Sequence, residues 1–323
     1  MRFESVERAV DAIIDQTNGN IILGMPLGMG KPNPLVNILY AKAKANSELS
    51  LTIVTALSLS KPSAKGELQQ RFLLPFIERV YADYEELAYL HDARAGSLPS
   101  NVTVNEFFVQ PASELNNPYT QQNYINSNYT HAARDMNARV NVVAQTIAKR
   151  DYEGYEQLSL SCNPEVILDL LPRLEKRKQM GEAILVVGQV HKDLPFMENS
   201  AIAPDDLFDI IIDDPSYDTR LINTPNMPVG MVEHFIGLGA SALIKDGGTL
   251  QIGIGALGDA VASAVLQRHN NNSIYKQLLK AMELTQKQFP LLAEGDRDIF
   301  SQGLYGCSEM FTYGLFAMFK AGV

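Results

Sequence analysis

A chain of 323 residues, 46% of them hydrophobic, can bury one large core or two ordinary ones. Its formal charge of −10 and pI near 5.0 argue against nucleic acid or an anionic membrane as partner, because neither is attracted to a net acidic surface. The two cysteines, Cys162 and Cys307, give neither a disulfide framework nor zinc spacing, and no apolar run is long enough to span a bilayer, so a cytoplasmic protein is expected.

Residues 4–15 place Val6, Ala9, Val10, Ile13 and Ile14 on one face of an amphipathic helix, and Asn18-Gly19 supplies its stop signal. Asn20–Leu23 reads as a buried strand, followed by a glycine loop, Gly24 to Gly30, and a helix opened by Pro34. The loop is not a P-loop. Its glycine spacing is wrong, and Pro32 stands where Ser or Thr would bind magnesium. A backbone cradle for an anion or thioester at Gly24, Gly28 and Gly30 stays open, as does a plain strand–helix turn. Residues 51–58 form the next strand, and β-α-β order predicts a parallel sheet. Helical segments near 67–91 lead into a polar stretch from Val109 to Asn128. Its tyrosines, Tyr119, Tyr124 and Tyr129, lack the basic groove of a base-stacking surface. The stretch therefore reads as a surface loop with the tyrosines packed down.

Strands are expected over 139–145 and 157–162, with Cys162 as a small buried residue closing the second. Asn163-Pro164-Glu165 then starts a helix that runs to Leu174. Residues 183–190 form the most convincing strand. His191 follows at its carboxyl end, where open α/β sheets place their ligands. His191 reads either as an acid–base group or as a residue that only hydrogen-bonds its loop. Residues 198–228, rich in Asp, Pro and Asn, read as a linker, and a helix over Val232–Leu243 opens the second region.

The stretch Asp246–Asp259 organises that region. Thr249–Ile252 is a short buried strand, Gly253, Gly255 and Gly258 make a tight turn, and a helix follows from Asp259. Strand, glycine turn and helix N-terminus together form an anion site. The spacing also fits a dinucleotide fingerprint, but the chain runs into another helix over 274–284 where the second strand and its acidic end belong. A turn needed only for strand–helix packing remains open as well. Metal-ligand spacing and a Gly-x-Ser-x-Gly elbow are both lacking. The ionisable group to single out is Glu309, after the glycine-rich run 303–308, since a carboxylate can act as nucleophile where water is excluded.

Asp246 to Val261, together with Cys307-Ser308-Glu309-Met310, resembles the acetyl-CoA hydrolase/transferase family, the family I CoA-transferases such as 4-hydroxybutyrate and acetate CoA-transferases. Gln189 to Pro195 is similar to the family's Val-Asn-x-x-x-Pro segment, and Gly24 to Gly30 to its amino-terminal glycine loop. The resemblance implies an α/β fold: a CoA-transferase-type open-sheet domain at 1–222, then a second, truncated α/β domain at 223–323. It implies that Glu309 attacks an acyl-CoA thioester, and that the mixed anhydride is reopened to a glutamyl-CoA thioester from which a carboxylic acid takes the CoA. Gln251, Gly253 and Gly255 match positions near the thioester oxygen. Gly24, Gly28 and Gly30 join them as oxyanion or CoA contacts, with His191 and Ser308 as further candidates. Coenzyme A and acyl-CoA are then substrates, with no tightly bound cofactor and no metal, and a homodimer or larger homo-oligomer is expected. Two alternatives stand beside transfer: acyl-CoA hydrolysis, and a CoA-binding or assembly part without activity of its own.

The chain departs from the family pattern in four places. His191 stands where Asn is common and Gly258 where Pro is common. The interval from Gln251 to Glu309 is longer than in relatives, which implies a helical insertion at about 267–297. Relatives also continue far past the glutamate, so the second domain is expected to be incomplete at Val323.

Overall fold

In the computed structural model, which describes every residue except Lys65, 162–165, 223–226, 284–288 and Glu309, the chain divides into two units, Met1–Ile222 and Asn223–Val323. The readings of Cys162 as a strand end and of Asn163-Pro164-Glu165 as a helix start lie outside the described residues.

The first unit is a doubly covered parallel sheet. Its strands are β1 (Arg2–Phe3), β2 (Asn20–Leu27), β3 (Ser50–Ala56), β4 (Val102–Glu106), β5 (Val142–Tyr152), β6 (Tyr155–Ser159), β7 (Leu185–Val190) and β8 (Ile210–Ile212). Seven of them run parallel in the order β1-β8-β7-β5-β2-β3-β4. The eighth, β6, folds back antiparallel on the end of β5 through Glu153 and Gly154, both at positive φ (52° and 82°), as a two-residue hairpin turn requires.

Two apolar layers sandwich this sheet. Helix α1 (Val6–Gln16) starts where Ser5 accepts from the Arg8 N–H at 3.3 Å, and it buries Val6, Ala9, Val10 and Ile13. With α2 (Asn33–Ala45) it packs on Ile21, Leu23 and Met25 of β2 and on Val142 and Ala144 of β5. Next in the chain come α3 (Glu67–Val80), α4 (Ala88–Ala95), whose Tyr89 and Leu90 join the same apolar layer, and α5 (Pro118–Asn123). On the opposite face, Met136 of α6 (Ala132–Asn137) and Leu170 and Leu174 of α7 (Ile167–Gln179) meet Val143, Ile147 and Val186. Strands buried on both faces are near-continuous in apolar residues, which is how residues 183–190 read in the sequence.

Two expectations change, and one strand that the sequence pattern does not announce is added. Residues 198–228 are not a linker throughout, because Ile210–Ile212 form β8 between β7 and β1. Val102–Glu106 is a strand whose alternation is too brief to announce itself, yet it pairs over its whole length with β3. In the polar stretch, only Tyr119 packs down, its hydroxyl accepting from the Val104 N–H at 2.9 Å. Tyr124 and Tyr129 remain 42% and 51% exposed.

The second unit contains α8 (Met231–Ser241), β9 (Thr249–Gln251), α9 (Ala256–Asn270), α10 (Asn272–Ala281), β10 (Tyr305–Cys307) and α11 (Tyr313–Ala321). Strands β9 and β10 pair in parallel, and Ile252, Ala262, Val265, Phe300, Leu315 and Met318 pack together beside them. The described residues of the segment expected as a helical insertion hold the end of α9, all of α10 and a 3₁₀ turn at Pro290–Ala293. Among the described residues, no helix is long and apolar enough to cross a membrane.

Candidate functional site

The order of the strands shows where the first unit can hold a ligand. From β2 the chain winds through β3 to β4 on one side, then returns to β5 and winds through β7 to β8 on the other. The loops after β2 and β5 therefore diverge, and open α/β sheets bind ligands in the crevice that such a reversal leaves at the carboxyl ends of the strands. A pocket lies there, lined by Met29, Lys31, Thr146, Gln189, His191 and Arg220 among others.

The glycine loop forms part of its wall. Gly24 lies inside β2, where a Cβ would come within 2.8 Å of Met136 and 2.9 Å of Val140, so its smallness serves helix–sheet packing. Gly28 turns the chain at φ +59°, and Gly30 is buried with its carbonyl accepting from Thr146 Oγ1 at 3.3 Å. Lys31, only 3% exposed, donates to the carbonyls of Ala56 (2.5 Å), Leu57 (3.2 Å) and Gly28 (3.4 Å), and so clamps the turn to the end of β3. His191 follows β7, and its Nδ1 accepts from the Asp193 N–H at 3.2 Å, which leaves the proton of a neutral ring on Nε2.

The same sheet end carries a cluster that the sequence pattern does not reveal. Glu106 closes β4 and accepts from the N–H (3.0 Å) and hydroxyl (2.6 Å) of Ser58, whose oxygen also lies 2.6 Å from the Tyr89 hydroxyl. Burial pushes the Glu106 carboxyl up, and burial likewise raises Tyr89 well above the ordinary phenol range.

The second unit brings two distant motifs together. Thr249, Leu250 and Gln251 lie opposite Tyr305, Gly306 and Cys307 in parallel register, so both strands end at the same place. There the Ile252 N–H donates to the Cys307 carbonyl (3.1 Å), and the Ser308 hydroxyl donates to the Ile252 carbonyl (2.8 Å). Ser308 is thus a tie across the strand ends. Glu309, the next residue in the chain, lies outside the described residues.

The register has an anchor. The Asp246 carboxylate accepts from the N–H groups of Ser301 (2.9 Å), Gln302 (3.0 Å) and Gly303 (3.0 Å) and from the Ser301 hydroxyl (2.6 Å). Those bonds, the Ser301 hydroxyl first, hold it far below the usual carboxylate range. Gly247 N–H to Gly303 O (2.8 Å) and Tyr305 N–H to Gly248 O (3.0 Å) then lead β10 into its pairing. Sequence reading overlooks this role because the donors lie far along the chain from Asp246.

The glycines of the turn divide their work. At Gly255, φ +132° with ψ 174° is a conformation closed to other residues, and a Cβ at Gly253 or Gly255 would meet nothing within 4 Å. Gly258 is different, since a Cβ there would stand 2.2 Å from the Gly253 carbonyl oxygen. The turn folds back on the first turn of α9, which gives a physical reason for glycine where the resembling family often has proline. Among the described residues no side chain caps α9, and its first helical bond runs from Asp259 N–H to Gly255 O (3.1 Å). Its leading N–H groups favour an anion.

No family model matches the chain, and no curated protein matches it. Among solved structures, RipA from Yersinia pestis is similar at TM-score 0.56 and 16% identity, covering 99% of this chain and 58% of RipA. A RipA variant superposes at TM-score 0.60 with 16% identity, again over 99% of this chain and 58% of the other. These matches show a shared fold, and the chain spans less than two thirds of RipA's length. A 4-hydroxybutyrate CoA-transferase from Porphyromonas gingivalis aligns with 80% of this chain and 50% of its own at 18% identity and TM-score 0.42, too distant a likeness to bear on function. The protein has an α/β fold with a mostly parallel central sheet, shared with RipA.

Proposed function

We propose that the protein transfers CoA between an acyl-CoA and a carboxylic acid, with Glu309 as the nucleophile. The observation that supports this most is the parallel register of β9 and β10, which brings Ser308, the neighbour of Glu309 in sequence, to Ile252 at the head of the glycine turn.

In the proposed reaction the Glu309 carboxylate adds to the thioester carbonyl and expels CoA thiolate, giving a mixed anhydride. The thiolate attacks the glutamyl carbonyl, releases the first acid and leaves a glutamyl-CoA thioester. An acceptor carboxylate then attacks that thioester to form a second anhydride, and the returning thiolate cleaves it to the new acyl-CoA and free Glu309. A carboxylate nucleophile needs no general base. What each tetrahedral intermediate needs is fixed donors for its oxyanion, worth about 3 kcal/mol each. The N–H groups at Gly253 to Leu257 are the candidates, with Gln251 beside them. The Ser308 hydroxyl, already donating to Ile252, holds the loop.

The test is the mass of the intact protein after incubation with acetyl-CoA. The expected result is an increase equal to coenzyme A less one water, absent from Glu309→Gln. Loss of thioester accelerated by added carboxylic acids identifies transfer, whereas loss indifferent to them identifies hydrolysis. Absence of any adduct from the wild-type protein across several acyl-CoAs would remove Glu309 from this role.

A further inference from the structure

Within the first unit, helix α3 buries almost nothing. Of its 14 residues Val80 alone is buried, with Leu73, Phe76 and Ile77 half-buried on the same side. Leu68 and Phe72 are 82% and 81% exposed. Among the described residues no side chain caps its start, and Pro75, inside the helix, has no N–H to give to the helical ladder. A helix of this length is marginal alone in water and draws its stability from packing an apolar face. Here the face turned away from Val80 has nothing packed on it.

That outer face carries a pattern of its own. Leu68, Phe72, Pro75 and Arg79 recur at the alternating spacing of a helix-pair seam, and all four are exposed. Arg71 and Glu78, one heptad apart, line one flank of the seam, with Glu67 beside them. Among the described residues, Glu67, Arg71, Glu78 and Arg79 form no ion pair. Two copies of α3 laid antiparallel about a two-fold axis bring equivalent flanks together. Centred between Leu73 and Leu74, the pair sets Phe72 against the partner's Pro75 and Arg71 beside the partner's Glu78. Leu68 meets the stem of the partner's Arg79, whose guanidinium reaches Glu67. A parallel pair would instead set Arg71 against the partner's Arg71, like against like. We infer that α3 is a docking surface for a second copy of this chain, joined antiparallel through Leu68, Phe72 and Pro75 with complementary charges on the flanks. One face of a helix about 21 Å long falls short of the roughly 800 Å² per partner of a standard interface, so the dimer is expected to dissociate at micromolar concentrations. The inference does not depend on the reaction proposed for Glu309.

Sedimentation velocity of the full chain, run across the micromolar range, reads the association. The expected result is a reversible monomer–dimer equilibrium. Phe72→Asp places a carboxylate in the seam at a side chain the core does not use, and it should sediment as monomer throughout. The flanks supply a second test that keeps the apolar seam intact. Arg71→Glu and Glu78→Arg should each weaken the dimer about tenfold by setting like charges together, and the two combined should restore it to within about threefold of the wild type. A wild-type chain that stays monomeric across the range would overturn the inference. So would a dimer that survives Phe72→Asp, or a double variant no tighter than the single ones.

Discussion

At Gly258 a single hydrogen atom decides whether the turn can close. A methyl there would press into the Gly253 carbonyl oxygen, backbone that has no flexible end to move aside, while a methyl at Gly253 would enter open space. Gly258→Ala is therefore expected to destabilise the second unit by about 1–3 kcal/mol, and Gly253→Ala to stay within about 0.5 kcal/mol. Urea unfolding followed by hydrogen exchange on residues 249–270 distinguishes them, and equal losses would contradict the close approach. The contrast bears on function as well. If the open glycines face a thioester, Gly253→Ala should impair turnover without a matching loss of stability.

For strands β9 and β10 the question is what fixes so short a pair. A three-residue parallel ladder has little stability of its own, and a slip of one residue would turn every side chain to the other face. Asp246 supplies the missing constraint by holding three consecutive N–H groups just before β10. Its pKa lies below the unfolded value of about 4, so its contribution is present above that pH and is lost as the pH falls through the folded value. Acidification from neutral to about pH 2 should therefore cost the wild type more protection over 301–307 than it costs Asp246→Asn, which starts weaker at neutral pH. Hydrogen-exchange mass spectrometry at several pH values reads this directly. An identical acid response in both proteins would show that Asp246 does not set the register. The element scale also shows what periodicity conveys. α1 and β7 were legible because their apolar spacing is complete over their length, whereas β8 has three residues and sits among Asp and Pro.

Across the whole molecule the two units differ in how much core they own. The first has a layer on each face of its sheet, while the described residues of the second give two clusters of six buried apolar side chains. A smaller core offsets less conformational entropy. Amides of the second unit should accordingly exchange before those of β2, β3, β5 and β7 as denaturant is raised, visible by peptide-resolved hydrogen exchange. The chain has no tryptophan, so fluorescence offers no equivalent view. Exchange of both units in one step would show that they unfold together.

The sequence by itself determined the α/β class, the order of strand, glycine turn and helix around 249–266, and the place of His191 at a strand end, because each follows from local periodicity and chain chemistry. Tertiary structure alone decided three further matters. Parallel pairing joined the Gly253 turn to Ser308. The reversal between β2 and β5 drew Lys31, Gln189 and Arg220 around one pocket. Packing separated glycines that look alike in a motif into those that fill tight space, Gly24 and Gly258, and those that leave space open, Gly253 and Gly255. The reason is physical. Parallel strands are joined by crossovers, so the groups at their ends meet through hydrogen-bond register between segments far apart in the chain, and local sequence carries no record of that register.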